Sequence, residues 1–227
     1  MKRVQQINHA IVGNGPLSDK DKRCISEAAH ITRFNLTPNL ADVDDSRTSC
    51  LVIVNRSKQI NQYFRDQVYL SHGAFQKAAR IVMPYDESII RDFFPRVTLR
   101  DRIKRRLGNW APIVKDMAEK SGKSFGVLSR EDYTGACEAL GYEPKNRAGP
   151  FPSTGFLAIY KSLSDAETPK PIDLFGFAFS GWKRHAWSLE EAFVLKAIER
   201  GQIVLHRSDR PVTGETLDSS LPVPQGS

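Results

Sequence analysis

Seven short apolar runs, set between polar or periodic stretches, constrain the fold of this chain more than any other feature. They are "HAIVGN" (9–14), "HITRFN" (30–35), "SCLVIVN" (49–55), "ARIVMP" (79–84), "SFGVLS" (124–129), "IDLFGFA" (172–178) and "QIVLH" (202–206), of which "HITRFN" is the weakest. Several are apolar almost throughout, as expected of parallel strands covered on both faces. Periodic segments at 99–119, 130–140, 154–164 and 188–200 read as helices between them. The alternation predicts a single α/β domain over residues 1–208, with a Rossmann-like, mostly parallel sheet and helices on both faces. Residues 209–227, rich in proline, glycine and serine, are expected to form a loose C-terminal tail.

A chain of 227 residues, 40% apolar and 26% charged, can bury one sizeable core and is neither fibrous nor disordered by composition. No stretch approaches the roughly 20 apolar residues that span a bilayer, and none reads as a signal peptide. Cys24, Cys50 and Cys137 are odd in number, widely spaced and without metal-site spacing, so reduced thiols and a cytoplasmic location are expected. The net charge of +7 suits nucleic acid, an anionic membrane or an anionic small substrate.

The densest basic block is "RVTLRDRIKRRLGNW" (96–110). Leu99, Ile103, Leu107 and Trp110 fall at i, i+4, i+8 and i+11, which predicts one shared face on a basic helix over 99–110. Such a helix is an ordinary solvated surface element or a contact surface for a membrane or an anionic glycan. No recognised nucleic-acid motif accompanies it, so nucleic acid is the least favoured partner.

Four places carry residues suited to chemistry. In "AIVGNG" (10–15), Gly13, Asn14 and Gly15 can turn tightly and bring backbone close to a ligand, or simply form a turn. The third glycine of a dinucleotide fingerprint is missing, because Ser18 stands in its place. Asn35, closing "RFN", has an amide for a base or ribose, or for its own turn. In "GPFPSTGFLAIY" (149–160), Pro152 holds the preceding residue extended and Ser153 is a helix N-cap. The hydroxyls of Ser153 and Thr154 and the N–H groups of Gly155 and Phe156 can then cap the helix or cradle an anion.

The fourth place is "SGWKRHAWSLEEAFVLKAIERG" (180–201). Ser188 and Glu191 read as a capping box, with Leu189 and Phe193 on the buried side of the helix that follows. His185, just before that helix and after a strand, is placed to act as a general base or to be structural. Glu190 falls in the first helical turn, where it can orient the loop or the helix end. "DVDDS" (42–46) reads as a solvated acidic loop rather than a metal site. His9, His30, His72 and His206 share no spacing and read as structural.

Taken in order over roughly residues 8–206, these segments resemble the sialyltransferase family (glycosyltransferase family 29), including its bacterial members. Its large motif resembles "AIVGNGPL…ITRFN" and its small motif "PSTGFLAIY…IDLFGF". Its last motif, a histidine and a glutamate with four residues between them, resembles His185 and Glu190 in "HAWSLE". The resemblance implies a variant GT-A type fold and a metal-independent, inverting transfer of sialic acid or a Kdo-type sugar. The CMP-sugar donor would be a substrate, with no further cofactor, and the acceptor a glycan or glycolipid.

It also implies that Asn14 and Asn35 hold the cytidine monophosphate part, and that Ser153, Thr154 and Gly155 contact its phosphate or ribose. Gly176 would line the base pocket and His185 would take the acceptor's proton. The animal members' cysteine pair, membrane anchor and stem have no counterpart in this sequence, which implies a bacterial enzyme at the inner face of the membrane. Their second, phosphate-stabilising histidine also has no counterpart, and Lys183 or Arg184 is its expected substitute. Two other functions fit the same residues: another nucleotide-dependent transferase or hydrolase, and a non-enzymatic basic module docking on membrane or nucleic acid.

Overall fold

The computed structural model of the chain describes residues 7–36, 47–56, 58–94, 96–104, 107–143, 150–169 and 171–207. The acidic "DVDDS" stretch, Arg105, Arg106 and the 209–227 tail lie outside the described residues.

All seven apolar runs form strands: β1 (His9–Val12), β2 (His30–Phe34), β3 (Cys50–Val52), β4 (Arg80–Met83), β5 (Ser124–Val127), β6 (Ile172–Phe175) and β7 (Ile203–His206). They build one sheet in the order β5-β4-β3-β2-β1-β6-β7, and every pairing is parallel. The weakest candidate from the sequence, "HITRFN", supplies an interior strand whose residues Ile31–Phe34 are all buried.

The helices are α1 (Asp19–Glu27), α2 (Lys58–Arg65), α3 (Val68–Ser71), α4 (Gly73–Lys77), α5 (Glu87–Phe93), α6 (Leu99–Ile103), α7 (Ala111–Lys120), α8 (Arg130–Ala139), α9 (Thr154–Ser164) and α10 (Trp187–Glu199). Successive strand side chains point to opposite faces, which sorts the core. Ile11, Val52, Val82, Ile172 and Leu174 pack with α5, α8, α9 and α10. Their neighbours Ala10, Val12 and Phe175 pack with Ile25 of α1, and Leu51, Ile53, Ile81 and Met83 with α2, α3, α4 and α7. The sheet is thus covered on both faces, as a Rossmann-like fold requires. Each fully buried Ile, Leu or Phe contributes about 1.5–3 kcal/mol of transfer free energy to that layering.

Three local expectations are corrected. The periodic segment 99–119 is two helices, because α6 stops at Ile103 and α7 starts at Ala111 with Pro112 in its first turn. Between them Asn61 Oδ1 accepts from the Leu107 N–H (2.7 Å) and from the Trp110 indole N–H (2.9 Å), drawing the chain toward α2. Trp110 stacks on Phe64 at 5.0 Å and is buried, while Leu99 and Ile103 are 74% and 75% exposed. The expected common face over 99–110 therefore does not form.

The N-cap expected at Ser188 lies two residues earlier, at Ala186, so α10 begins at Trp187 and has no side-chain cap. That register turns Glu190 inward and leaves Leu189 43% exposed. Glu191 faces outward and pairs with Arg207 at 3.5 Å. Helices α1 to α5 were not legible as periodic segments. The residue standing in place of the third fingerprint glycine, Ser18, is the N-cap of α1 and forms a capping box with Asp21.

Candidate active site

Strand β1 lies between β2 and β6, so the chain leaves β1 in one direction and returns beside it from the other. In open parallel sheets such a switch point opens a crevice at the carboxyl ends of the strands, where ligands bind. The candidate residues gather at this edge. Gly13–Gly15 follow β1, Asn35 follows β2, Gly176 follows β6, Lys183 to His185 lie between β6 and α10, and Ser153–Gly155 begin α9.

The glycines of the β1 and β6 loops touch each other. Gly13 N–H donates to Phe175 C=O (2.7 Å), and Gly15 N–H to Gly176 C=O (2.9 Å). A Cβ on Gly13 or Gly15 would stand 2.5 or 2.7 Å from the Gly176 oxygen. Gly176 itself has φ +65°, in the left-handed region that favours glycine. The close approach these glycines permit is therefore backbone to backbone, and it leaves Asn14 exposed at the tip of the turn.

Asn35 has φ +50°, a conformation asparagine tolerates better than most residues. Its Oδ1 accepts from Val54 N–H (3.0 Å), and its own N–H donates to Val52 C=O (2.9 Å). The amide oxygen thus ties the end of β2 to the segment after β3, and Nδ2 has no partner among the described residues.

Ser153 is the N-cap of α9, with its Oγ accepting from Phe156 N–H at 3.0 Å. The Ser153 hydroxyl donates to Glu190 Oε2, and the Ser153 N–H donates to Glu190 Oε1, each at 2.7 Å. Both residues are buried. A carboxylate thereby sits at the positive end of α9, where helix dipole and free N–H groups favour it. Burial raises the Glu190 pKa above its usual carboxylate value, and the two Ser153 hydrogen bonds oppose that shift. The next two backbone N–H groups, of Thr154 and Gly155, have no acceptor among the described residues. A Cβ on Gly155 would meet the Phe177 ring at 2.9 Å, so this glycine also makes room for an aromatic neighbour.

Pro152 holds Phe151 extended, and Phe151 forms an isolated parallel bridge with His185. Phe151 N–H donates to Arg184 C=O at 2.9 Å. Nδ1 of His185 lies 3.0 Å from Phe151 O. A carbonyl can only accept, so Nδ1 carries the proton and Nε2 presents the lone pair. Burial lowers the His185 pKa most; the Phe151 hydrogen bond raises it and the Arg184 charge lowers it further. The imidazole is therefore neutral at neutral pH, with its basic nitrogen fixed.

Tryptophans flank this histidine. The rings of Trp182 and Trp187 stand edge-to-face with His185 at 5.1 and 4.9 Å. The Arg184 guanidinium lies over the Phe151 ring (4.7 Å) and over Trp182 (5.5 Å), while Lys183 is exposed. Phe94 stacks on Phe151 at 5.2 Å.

The structure thus joins Glu190 to Ser153 at the start of α9, and His185 and Arg184 to Phe151 two residues before it, with Gly155 against Phe177 and Gly176 against the β1 loop. Phe151, Phe177 and Trp182 enter these contacts without having been singled out in the sequence. The "PFP" bracket was the one available signal for Phe151. Elsewhere Asp173 binds His206 at 2.7 Å and His9 binds Thr32 at 3.0 Å, structural pairings for those histidines. The three cysteines are free. Among the described residues no group of three or more His, Cys, Asp or Glu could hold a metal ion, and no helix is long and apolar enough to cross a membrane.

No family model matches the chain, and no curated protein matches it. Among solved structures the chain is similar to a mammalian sialyltransferase in complex with Gal-β-1-3GalNAc-ortho-nitrophenol. The identity is 14% and the TM-score 0.48, over 90% of this chain and 71% of that one.

Proposed function

We propose that residues 1–208 form a metal-independent, inverting glycosyltransferase of variant GT-A type that moves a sialic acid or Kdo-type sugar from a CMP donor to a glycan or glycolipid hydroxyl. The observation that carries the reading is the fixed tautomer of His185. Its Nδ1–H is held by the C=O of Phe151, two residues before the N-cap of α9, which leaves Nε2 as the base, and the Thr154 and Gly155 N–H groups have no acceptor among the described residues.

In this reaction the acceptor O–H proton passes to His185 Nε2 as the acceptor oxygen bonds to C2 of the donor sugar. The bond from C2 to the phosphate oxygen breaks, and its electron pair leaves with CMP. The phosphate lies against the N–H groups of Thr154 and Gly155 and the Thr154 hydroxyl, with Arg184 or Lys183 as the cation. Ser153, whose hydroxyl is already engaged, and Glu190 hold that helix end in place. The exposed Asn14 and the Nδ2 of Asn35 serve the nucleoside, beside Gly176. Positioning and charge stabilisation supply most of the acceleration, because CMP is a good leaving group.

The exposed pair Leu99 and Ile103, among Arg96, Arg100, Arg102 and Lys104, favours peripheral contact with an anionic membrane at its cytoplasmic face. The acceptor would then be met there.

The test is donor turnover by purified protein with CMP-sialic acid and CMP-Kdo, with and without chelator. Transfer is expected to survive chelation and to fall by about 10²–10⁴-fold in His185→Ala, with CMP binding retained. Unchanged transfer in that variant removes His185 as the base. Failure of the wild type to bind CMP or turn over either donor removes the reading.

A further inference from the structure

An indole in water beside a fixed base is the feature the donor chemistry leaves unused. Trp182 is 55% exposed, yet its backbone is anchored twice: its carbonyl accepts from His185 N–H (3.0 Å) and from Trp187 Nε1–H (3.1 Å). Its ring is held too, edge-to-face with His185 at 5.1 Å and with the Arg184 guanidinium 5.5 Å from its centroid. The indole is thus an anchored, half-open apolar surface in edge-to-face contact with the imidazole, whose Nε2 has no partner among the described residues.

We propose that Trp182 is the platform on which the acceptor sugar stacks, so the acceptor is a pyranoside with an apolar C–H face flanked by hydroxyls. This assignment rests on the reading of His185 as the base. A pyranose has one face of C–H groups that suits an indole, while its equatorial hydroxyls project from the rim. A sugar lying on Trp182 presents a rim hydroxyl toward Nε2, and the fixed indole selects which one by fixing the plane of the ring. Preorganisation makes the platform effective, because neither anchored residue has to be ordered on binding. Trp182 is accordingly a positioning residue, and His185 is the group that takes the proton.

The experiment titrates wild type, Trp182→Ala and Trp182→Phe with CMP by calorimetry. The same proteins are titrated with methyl β-galactoside, α-glucoside, α-mannoside and β-N-acetylglucosaminide by saturation-transfer NMR. The expected result is that at least one glycoside binds wild type, binds Trp182→Ala about tenfold more weakly, and largely recovers in Trp182→Phe. Any loss of CMP affinity is expected to be smaller than the loss of glycoside affinity, since Trp182 meets the donor side only through Arg184. Glycoside binding unchanged in Trp182→Ala, or absent in wild type, overturns the platform. So does a loss of CMP affinity alone, which would make Trp182 a nucleobase platform. Failure of wild type to bind CMP sinks the donor reading instead, while the glycoside arm still judges Trp182.

Discussion

Glu190 grips Ser153 with both carboxylate oxygens, one on the backbone N–H and one on the hydroxyl, each at 2.7 Å. The contact ties the first turn of α10 to the first turn of α9 across 37 residues of sequence. Glu190→Ala leaves two buried donors without acceptors, each costing about 1–3 kcal/mol. A loss of about 2–6 kcal/mol in urea unfolding is therefore expected. Glu190→Gln keeps an acceptor for the Ser153 N–H and should lose less. An unchanged midpoint in Glu190→Ala would contradict the coupling.

The His185 pKa is lowered from 6.5, chiefly by burial. Its base form is therefore populated down to a lower pH than that of a free imidazole. If His185 is the base, activity needs the neutral ring, so kcat/KM is expected to be flat near neutrality and to fall in acid with its midpoint below pH 6.5. A pH–rate profile with that limb at or above 6.5 would show that another group controls the rate.

Gly13→Ala and Gly176→Ala are expected to be severely destabilising. The first puts a methyl group 2.5 Å from the Gly176 carbonyl oxygen, and the second forces φ +65° on a residue with a Cβ 3.1 Å from two carbonyl oxygens. Neither obstacle is a flexible side chain, so losses at or above the usual 1–3 kcal/mol of overpacking are expected in thermal or urea unfolding. Stability within about 0.5 kcal/mol of wild type would argue against the backbone contact.

Gly155→Ala separates two roles. The added methyl meets the movable edge of the Phe177 ring at 2.9 Å. Helix propensity returns up to about 1 kcal/mol, so little net change in stability is expected. If phosphate lies against the helix end, CMP affinity should fall about tenfold, a shift of about 1.4 kcal/mol. Equal CMP affinity in calorimetry would leave Phe177 as the whole reason for glycine at this position.

Leu99 and Ile103 expose three-quarters of their surface and pack on little else. Leu99→Asp with Ile103→Asp should leave stability within about 0.5 kcal/mol of wild type. Flotation with phosphatidylglycerol vesicles should be lost in this double variant and, for wild type, weaken with salt. Equal flotation of wild type and variant would show that this surface does not meet the membrane.

Particular residues show how far the sequence reached. The helix cap at Ser153 and the extended Phe151 were readable because each depends on chemistry within a few residues, whereas the partners of Asn35, Val52 and Val54, lie on the next strand and its end. The broken 99–119 segment was not readable. Its interruption comes from Asn61, whose Oδ1 accepts a hydrogen bond from the Trp110 indole N–H, 49 residues away. Helices α2 to α4 were missed because they are short or flanked by polar residues, and their apolar faces become evident only against Leu51, Ile53 and Ile81. At the site, Gly13, Gly15 and Gly155 were legible as special positions. What each stands against was not.

By itself the sequence pointed to the parallel, two-sided sheet, since strands that are apolar nearly throughout need cover on both faces and periodic helices lie between them. It also determined where α9 begins, through proline, serine and a free helix end. Only the tertiary structure decided that Glu190, rather than a ligand, takes the Ser153 donors. It likewise decided that Phe151 sets the tautomer of His185 and that Gly176 fills the space beside Gly13 and Gly15. Each of these contacts joins groups more than 30 residues apart, and nothing in a local pattern specifies which loop end meets which. Sheet order alone brings the β1, β6 and α9 ends to one edge, and close packing there selects their partners.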